Sequence, residues 1–103
     1  VSLKHLAKLG ITPGYDIEYF NSSGQKVCIE VKSTTAKKFP YFNLTINELN
    51  AAKEEDNYQI YLVAGVNTND VKIEIIYNPF NLKNISNWDI QPTAFKVYSK
   101  NSQ

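Results

Sequence analysis

The sequence predicts an α/β domain. Three observations predict it: two alternating runs of apolar and polar residues around a glycine turn, a helix with an explicit N-terminal signal, and a strongly apolar segment of β-forming residues after that helix. A chain of 103 residues, 43% of them hydrophobic, can bury one compact core. We therefore expect a single domain over residues 1–103.

The first part of the chain predicts a helix and then a hairpin. An apolar stripe at helical spacing, ended by Gly10, predicts a first helix within residues 1–10. Polar and apolar residues then alternate over 15–20 and again over 26–32. Because a glycine-containing turn at 21–25 separates the two runs, we expect them to pair as an antiparallel hairpin.

The middle of the chain predicts an extended piece, a second helix and a buried strand. Residues 39–44 contain Pro40, which suits the start of a strand or a sheet edge. Thr45 and Glu48 match the S/T-x-x-E capping box, in which hydroxyl and carboxylate each accept a hydrogen bond from a free backbone N–H, so a helix begins here. Residues 58–66 are apolar and rich in β-formers, which predicts a central strand buried on both faces.

Three further segments complete the chain. Alternation over 71–77 predicts a second hairpin partner, residues 78–93 are irregular and rich in Asn and Pro, and 94–99 reads as a last strand. The predicted order is therefore helix, three strands, helix and strand, followed by an added hairpin partner and a final strand.

The composition excludes several function classes. The chain has eleven basic and ten acidic residues, so its net charge is close to zero and any nucleic-acid site is a local basic patch. None of the basic residues is arginine, so that patch consists of lysines and lacks the two-pronged donor that best recognises guanine. Cys28 is the single cysteine, which excludes an internal disulfide and a multi-cysteine zinc site. No apolar run approaches the roughly 20 residues of a membrane span and no export segment opens the chain, so we expect a cytoplasmic protein without a membrane partner. A start without Met suggests a fragment of a larger protein.

The predicted hairpin gathers charged groups on one face of the sheet. With a turn at 21–25, Asp16 falls opposite Glu30, and Lys32 follows on the same face. Opposed carboxylates repel unless a positive charge lies between them. A divalent cation suits this position, because Mg²⁺ prefers hard oxygen ligands with several retained waters, and the backbone carbonyl of Val31 could complete the set. The alternative is an ordinary cross-strand charge cluster on a solvated face, which needs no metal.

The pattern of Asp16 followed by Glu30-Val31-Lys32 resembles the D…(D/E)-x-K signature of restriction-endonuclease-like (PD-(D/E)XK) nucleases. The order of elements agrees with the αβββαβ core of that fold, a mixed sheet flanked by helices, here with an extra C-terminal hairpin and strand. More narrowly, five segments resemble the protein NO VEIN C-terminal domain family: residues 14–17, 29–33, 44–49, 57–61 and 92–97.

The resemblance implies a metal-dependent DNA endonuclease domain of a restriction, defence or DNA-processing protein. It assigns Asp16 and Glu30 as ligands of Mg²⁺ or Mn²⁺ and Lys32 as the catalytic cation. Lys32 would either stabilise charge on the phosphate or act as the general base. The implied partners are DNA, upstream domains of a larger parent protein and a second copy in a homodimer. Two alternatives stay open: a catalytically inactive module that binds nucleic acid or protein, and a structural cap on an upstream domain.

Four further residues border the predicted site. Glu48 has a structural explanation as the capping carboxylate and a functional one as a contact of the site. Glu18 lies on the face of Asp16, either as a supporting group or at a solvated rim. Lys37 and Lys38 precede several aromatic residues and form either a solvated loop or a basic, aromatic rim that contacts DNA.

Overall fold

A five-stranded sheet with one α-helix forms the part of the chain that the structure, a computed structural model, describes: residues 3–6, 13–81 and 88–101. The elements are the strands β1 (Leu3–His5), β2 (Ile17–Phe20), β3 (Lys26–Ser33), β4 (Tyr58–Ala64) and β5 (Lys72–Tyr77), the helix α1 (Ile46–Glu54) between β3 and β4, and a 3₁₀ turn at Pro79–Asn81. No helix in these ranges is long and apolar enough to span a bilayer.

The sheet is mixed, and its strands lie side by side in the order β1-β2-β3-β4-β5. Neighbouring strands are antiparallel except β3 and β4, which are parallel. A parallel pair requires a crossover connection, and α1 supplies it. The prediction of an α/β domain is therefore confirmed.

The first hairpin has the predicted register. Phe20 pairs with Lys26 and Glu18 pairs with Cys28. The turn closes through a hydrogen bond from the Asn21 N–H to the Gln25 carbonyl at 2.9 Å. The length of the turn decides the register, and the register in turn decides that the even-numbered side chains of β3 share one face.

The core lies between that face and α1. Its buried members come from both halves of the chain: Leu6, Tyr15, Cys28, Ala51, Ala52, Tyr58, Ile60, Leu62 and Ile76. Ala51 and Ala52 are the buried residues of α1. Strand β4 is an interior strand as predicted, but only its helix-facing residues are fully buried, and those on the opposite face are half-buried.

The prediction of a first helix is wrong for Leu3–His5, because these residues form a strand that pairs with β2. Residues 1–2 and 7–10 of that prediction lie outside the described residues. The apolar stripe that suggested a helix is short, and an isolated helix of this length is marginal in water. Pairing with the otherwise open edge of β2 satisfies the backbone of this segment instead.

Two predicted strands are also wrong. Residues 39–44 and 94–99 form no regular element, and the side chains of Phe95 and Val97 are 83% and 91% exposed. An alternating pattern indicates that side chains suit a half-buried sheet surface. A strand forms there only where another strand offers an edge for pairing. The described core is therefore three strands, a helix and two strands, with β1 as the first of the three.

Candidate active site

Asp16 reaches strand β3 from the residue just before β2. Its backbone N–H donates to the Ile29 carbonyl at 2.9 Å, and its Oδ2 accepts from the Val31 N–H at 2.9 Å. The strand ladder ends at the Ile17–Ile29 pair, one residue before the predicted pairing of Asp16 with Glu30. The carboxylate contacts the backbone of β3 at Val31, next to Glu30 in the chain.

Glu30, Lys32 and Glu48 form a network of ion pairs between the sheet and the helix. The ammonium Nζ of Lys32 lies 3.5 Å from Glu30 Oε2 and 2.9 Å from Glu48 Oε1. Glu30 and Lys32 point the same way because they are two residues apart on β3. Glu48 approaches them from α1, so the crossover that makes β3 and β4 parallel also brings the third charge to the site.

Glu48 caps α1 as the sequence suggested, and it also contacts Lys32. Its Oε1 accepts from the Thr45 N–H at 2.9 Å while the Thr45 hydroxyl accepts from the Glu48 N–H at 3.1 Å, which completes the capping box. The same Oε1 accepts from Lys32. The cap therefore holds the carboxylate that positions Lys32.

We expect Thr45→Ala to lower the free energy of unfolding by about 1 kcal/mol, because the Glu48 N–H loses its capping acceptor. Urea denaturation measures the change. Thr45→Ser keeps the hydroxyl and should stay within a few tenths of a kcal/mol of the wild type. Equal losses in the two variants would contradict the capping role.

Burial and neighbouring charges shift the ionisation of the two glutamates in opposite directions. Glu30 is 5% exposed, and burial, reinforced by the Glu48 and Asp16 carboxylates, raises its pKa to about 8 although Lys32 acts the other way. Burial also opposes the charge of Glu48, but hydrogen bonds from Lys32 and from the Thr45 backbone outweigh it and lower the pKa of Glu48. The site thus holds one carboxyl that retains its proton at neutral pH and one that is ionised.

Tyr58 ties the loop before Asp16 to the central strand. It is fully buried, and its hydroxyl donates to the Gly14 carbonyl at 2.7 Å. Burial, followed by the Glu30 carboxylate, raises the pKa of Tyr58 far above its ordinary value. The predicted buried strand over 58–66 begins at Tyr58, but a hydrogen bond between residues 44 positions apart has no signal in local pattern.

Glu18 lies in a separate cluster. It accepts a hydrogen bond from the Tyr15 hydroxyl at 3.2 Å and lies 3.9 Å from the Lys4 ammonium. Cys28 is buried beside Glu55 at 3.6 Å, and burial raises the pKa of its thiol to about 11. This thiol is therefore poorly suited to act as a nucleophile.

A cavity of about 440 Å³ borders the ion-pair network where β3 ends. We call it the lysine groove. It is lined by Lys32, Ser33, Thr34, Ala36, Lys38, Phe39, Pro40, Tyr41, Phe42 and Asn43. Two lysines and no carboxylate are among these described lining residues. Lys38 lies in the lining, whereas the exposed Lys37 does not.

The donor set suits a hard divalent cation held by few protein ligands. Asp16 is near enough to Glu30 for its charge to raise the pKa of Glu30, and both carboxyl groups, once ionised, have acceptor capacity beyond the hydrogen bond or ion pair described above. No group of three or more His, Cys, Asp or Glu side chains suited to a metal ion occurs within 3–6, 13–81 and 88–101. Any ion here would therefore rely on two carboxylates, backbone oxygen and water.

Four of the five segments that suggested a relationship lie within the range matched by a family model, and residues 92–97 lie outside it. The family described as "Protein NO VEIN, C-terminal" matches residues 5–76, which include Asp16, Glu30, Lys32 and Glu48. Comparisons with curated proteins and with solved structures found no significant match. The match extends over more than half of the chain, so the chain belongs to the protein NO VEIN C-terminal family.

Proposed function

We propose that this chain is a metal-dependent DNA phosphodiesterase of the restriction-endonuclease-like type. The observation that carries the proposal is Glu30, a carboxyl 5% exposed and placed beside Asp16, Glu48 and Lys32. Burying an acid next to two others lowers stability, and such arrangements concentrate at sites of chemistry. A bound cation would turn the same arrangement into a favourable one.

Asp16 and Glu30, with the backbone carbonyl of Val31, would hold Mg²⁺ or Mn²⁺. When bound, the ion lowers the pKa of a coordinated water and offsets charge on the phosphate. The backbone of Val31 already positions Asp16 through its N–H at 2.9 Å. The carboxylate is thus oriented before any ion binds, which reduces the conformational cost of binding.

Lys32 is the cation that the protein itself contributes to the proposed site. Glu48 holds its ammonium at 2.9 Å and Glu30 at 3.5 Å, so the side chain has a defined position where the groove meets the carboxylates. An ammonium in a partly buried site stabilises negative charge on a reacting phosphate more strongly than one in water. Lys32 is therefore assigned the stabilisation of the phosphate, with Glu48 as its positioning residue and Lys37 and Lys38 as contacts of the DNA backbone.

Thermal melting with and without millimolar Mn²⁺ or Mg²⁺ tests the site, above pH 8 where Glu30 is ionised. A ligand at about one hundred times its Kd stabilises the fold by about 2.7 kcal/mol, which raises the Tm of a domain of this size by roughly 10 °C. Asp16→Ala should abolish the rise. Asp56→Asn, an exposed acid outside the site, should retain it, and equal rises in both variants would contradict metal binding here.

Nicking of supercoiled plasmid in the presence of Mg²⁺ tests the chemistry. Lys32→Met keeps much of the side-chain volume and should reduce the nicking rate by about a hundredfold or more, the usual loss when one electrostatic contact to the transition state is removed. Lys72→Met changes a lysine that is 73% exposed and should leave the rate unchanged. Undiminished nicking by Lys32→Met would place the activity elsewhere.

One observation favours the second candidate, a non-catalytic nucleic-acid or protein interaction module. Lys32 already pairs with the ionised Glu48, and Glu30 retains its proton at neutral pH, so these three side chains are compensated without a metal. This candidate predicts no metal-dependent rise in Tm, whereas DNA binding at low salt persists. A structural cap on an upstream domain would show neither effect.

A further inference from the structure

The lysine groove has the features of a site for an unpaired nucleotide. Its volume of about 440 Å³ falls in the range of about 300–1,000 Å³ for small-ligand sites, and the groove is open to solvent. Lys32 belongs both to the groove and to the ion-pair network, so a molecule in the groove touches the proposed reaction centre. The groove and the carboxylate cluster are therefore two parts of one site.

Aromatic rings form one wall of the groove, and packing holds most of them in place. Phe42 makes edge contacts with Phe39 at 6.4 Å and with Trp88 at 5.1 Å between ring centroids. Between these phenylalanines in the chain, Tyr41 is 69% exposed while still lining the groove. The exposed ring of Tyr41 offers a face on which a base can stack, and bases stack on aromatic rings with little dependence on sequence.

The lysines of the groove favour an anion, with Lys38 as the contact, because the ammonium of Lys32 already pairs with Glu48. The described lining carries the cations Lys32 and Lys38, and Lys37 is exposed next to it in the chain. A phosphate attached to a stacked base meets this charge. In a duplex, neighbouring bases cover both faces of each base, so Tyr41 can stack only on a base that is unpaired or extruded.

We propose that the lysine groove binds one unpaired nucleotide of single-stranded DNA, with the base on Tyr41 and the phosphate at Lys38. The next phosphodiester would then extend toward Lys32, the other lysine of the described groove lining. This inference rests on the proposed function and narrows its substrate to single-stranded or locally opened DNA.

Fluorescence anisotropy with a labelled oligothymidylate, in metal-free buffer containing EDTA, separates binding from cleavage. The single strand should bind at least ten times more tightly than a duplex of the same length. Tyr41→Ala should weaken binding of the single strand by about tenfold, the loss of one base stack. Tyr98→Ala, which removes a ring that is 72% exposed outside the groove lining, should leave it unchanged.

Two further readouts locate the contact. Lys38→Ala should reduce the slope of log affinity against log salt by about 0.7, one phosphate contact on a single strand, and Lys96→Ala should not. Trp88 is the single tryptophan and packs on Phe42, so its fluorescence should change when the oligothymidylate binds. Tighter binding of the duplex, or equal affinities of Tyr41→Ala and Tyr98→Ala, would overturn the proposal.

These outcomes are independent of the tests of cleavage. Metal-dependent stabilisation and nicking, together with oligothymidylate binding that Tyr41→Ala leaves unchanged, would refute the nucleotide site alone. Binding that depends on Tyr41, without metal stabilisation or nicking, would refute the phosphodiesterase alone.

Discussion

Stability should fall as the pH rises from about 4.5 to about 8, and Glu30→Gln should remove most of that fall. Burial raises the pKa of Glu30 from 4.5 to about 8, so between these values the folded chain binds a proton that the unfolded chain has released. The free energy of unfolding therefore decreases with pH in this window and levels off above it. The total fall is on the order of a few kcal/mol, since each unit of pKa difference corresponds to about 1.4 kcal/mol.

Chemical denaturation at several pH values measures this slope. Glutamine occupies nearly the same volume as the protonated acid and cannot ionise, so the variant should be the more stable form at pH 9. Glu54→Gln, at an exposed position on α1, is the matched control and should keep the wild-type slope. A wild-type curve that is flat or rising between pH 5 and 8, with Glu30→Gln parallel to it, would mean that Glu30 is not the buried acid described here.

The second large effect should come from Gly14→Ala, which should lower the free energy of unfolding by about 3 kcal/mol or more. Gly14 has φ +97°, and an added Cβ would overlap the Asn47 backbone carbonyl and lie 2.9 Å from Ala51 Cβ. The left-handed conformation alone costs a residue with a side chain about 1–2 kcal/mol, and the overlap with helix backbone adds to it. The Tm should fall by roughly 10 °C or more.

Gly24→Ala is the matched control, because Gly24 also has a positive φ of 78° but an added Cβ there meets nothing within 4 Å. Its loss should be limited to the conformational cost of about 1–2 kcal/mol. Gly14→Ala should also disturb the site, since α1 carries Glu48 and Asp16 lies two residues beyond Gly14. Equal losses in the two variants would show that the close approach of α1 to Gly14 contributes nothing.

Local pattern was sufficient to predict the parts of the fold in which neighbouring residues decide the outcome. The turn at 21–25 determined the hairpin register, and Thr45 with Glu48 determined the start of α1. Alternation along β3 placed Glu30 and Lys32 on one face. In these features the backbone hydrogen-bond partners are a few residues apart in the sequence, so a local motif identifies them.

Pattern failed where the outcome depended on a distant partner. Leu3–His5 form a strand because β2 offers a free edge, and the alternating residues 94–99 form none within the described part of the chain. The side chains of both segments suit more than one conformation. Only the availability of a partner edge decides which one forms.

The sequence by itself determined which charged residues share a face of the sheet and which residue caps the helix. The tertiary structure alone decided that Glu48 reaches Lys32 at 2.9 Å, that Glu30 is buried enough to hold a proton near neutral pH, and that the lysine groove opens beside them. The physical reason is that facing direction follows from the geometry of one strand, whereas burial and contact depend on how α1 packs across β3 and β4.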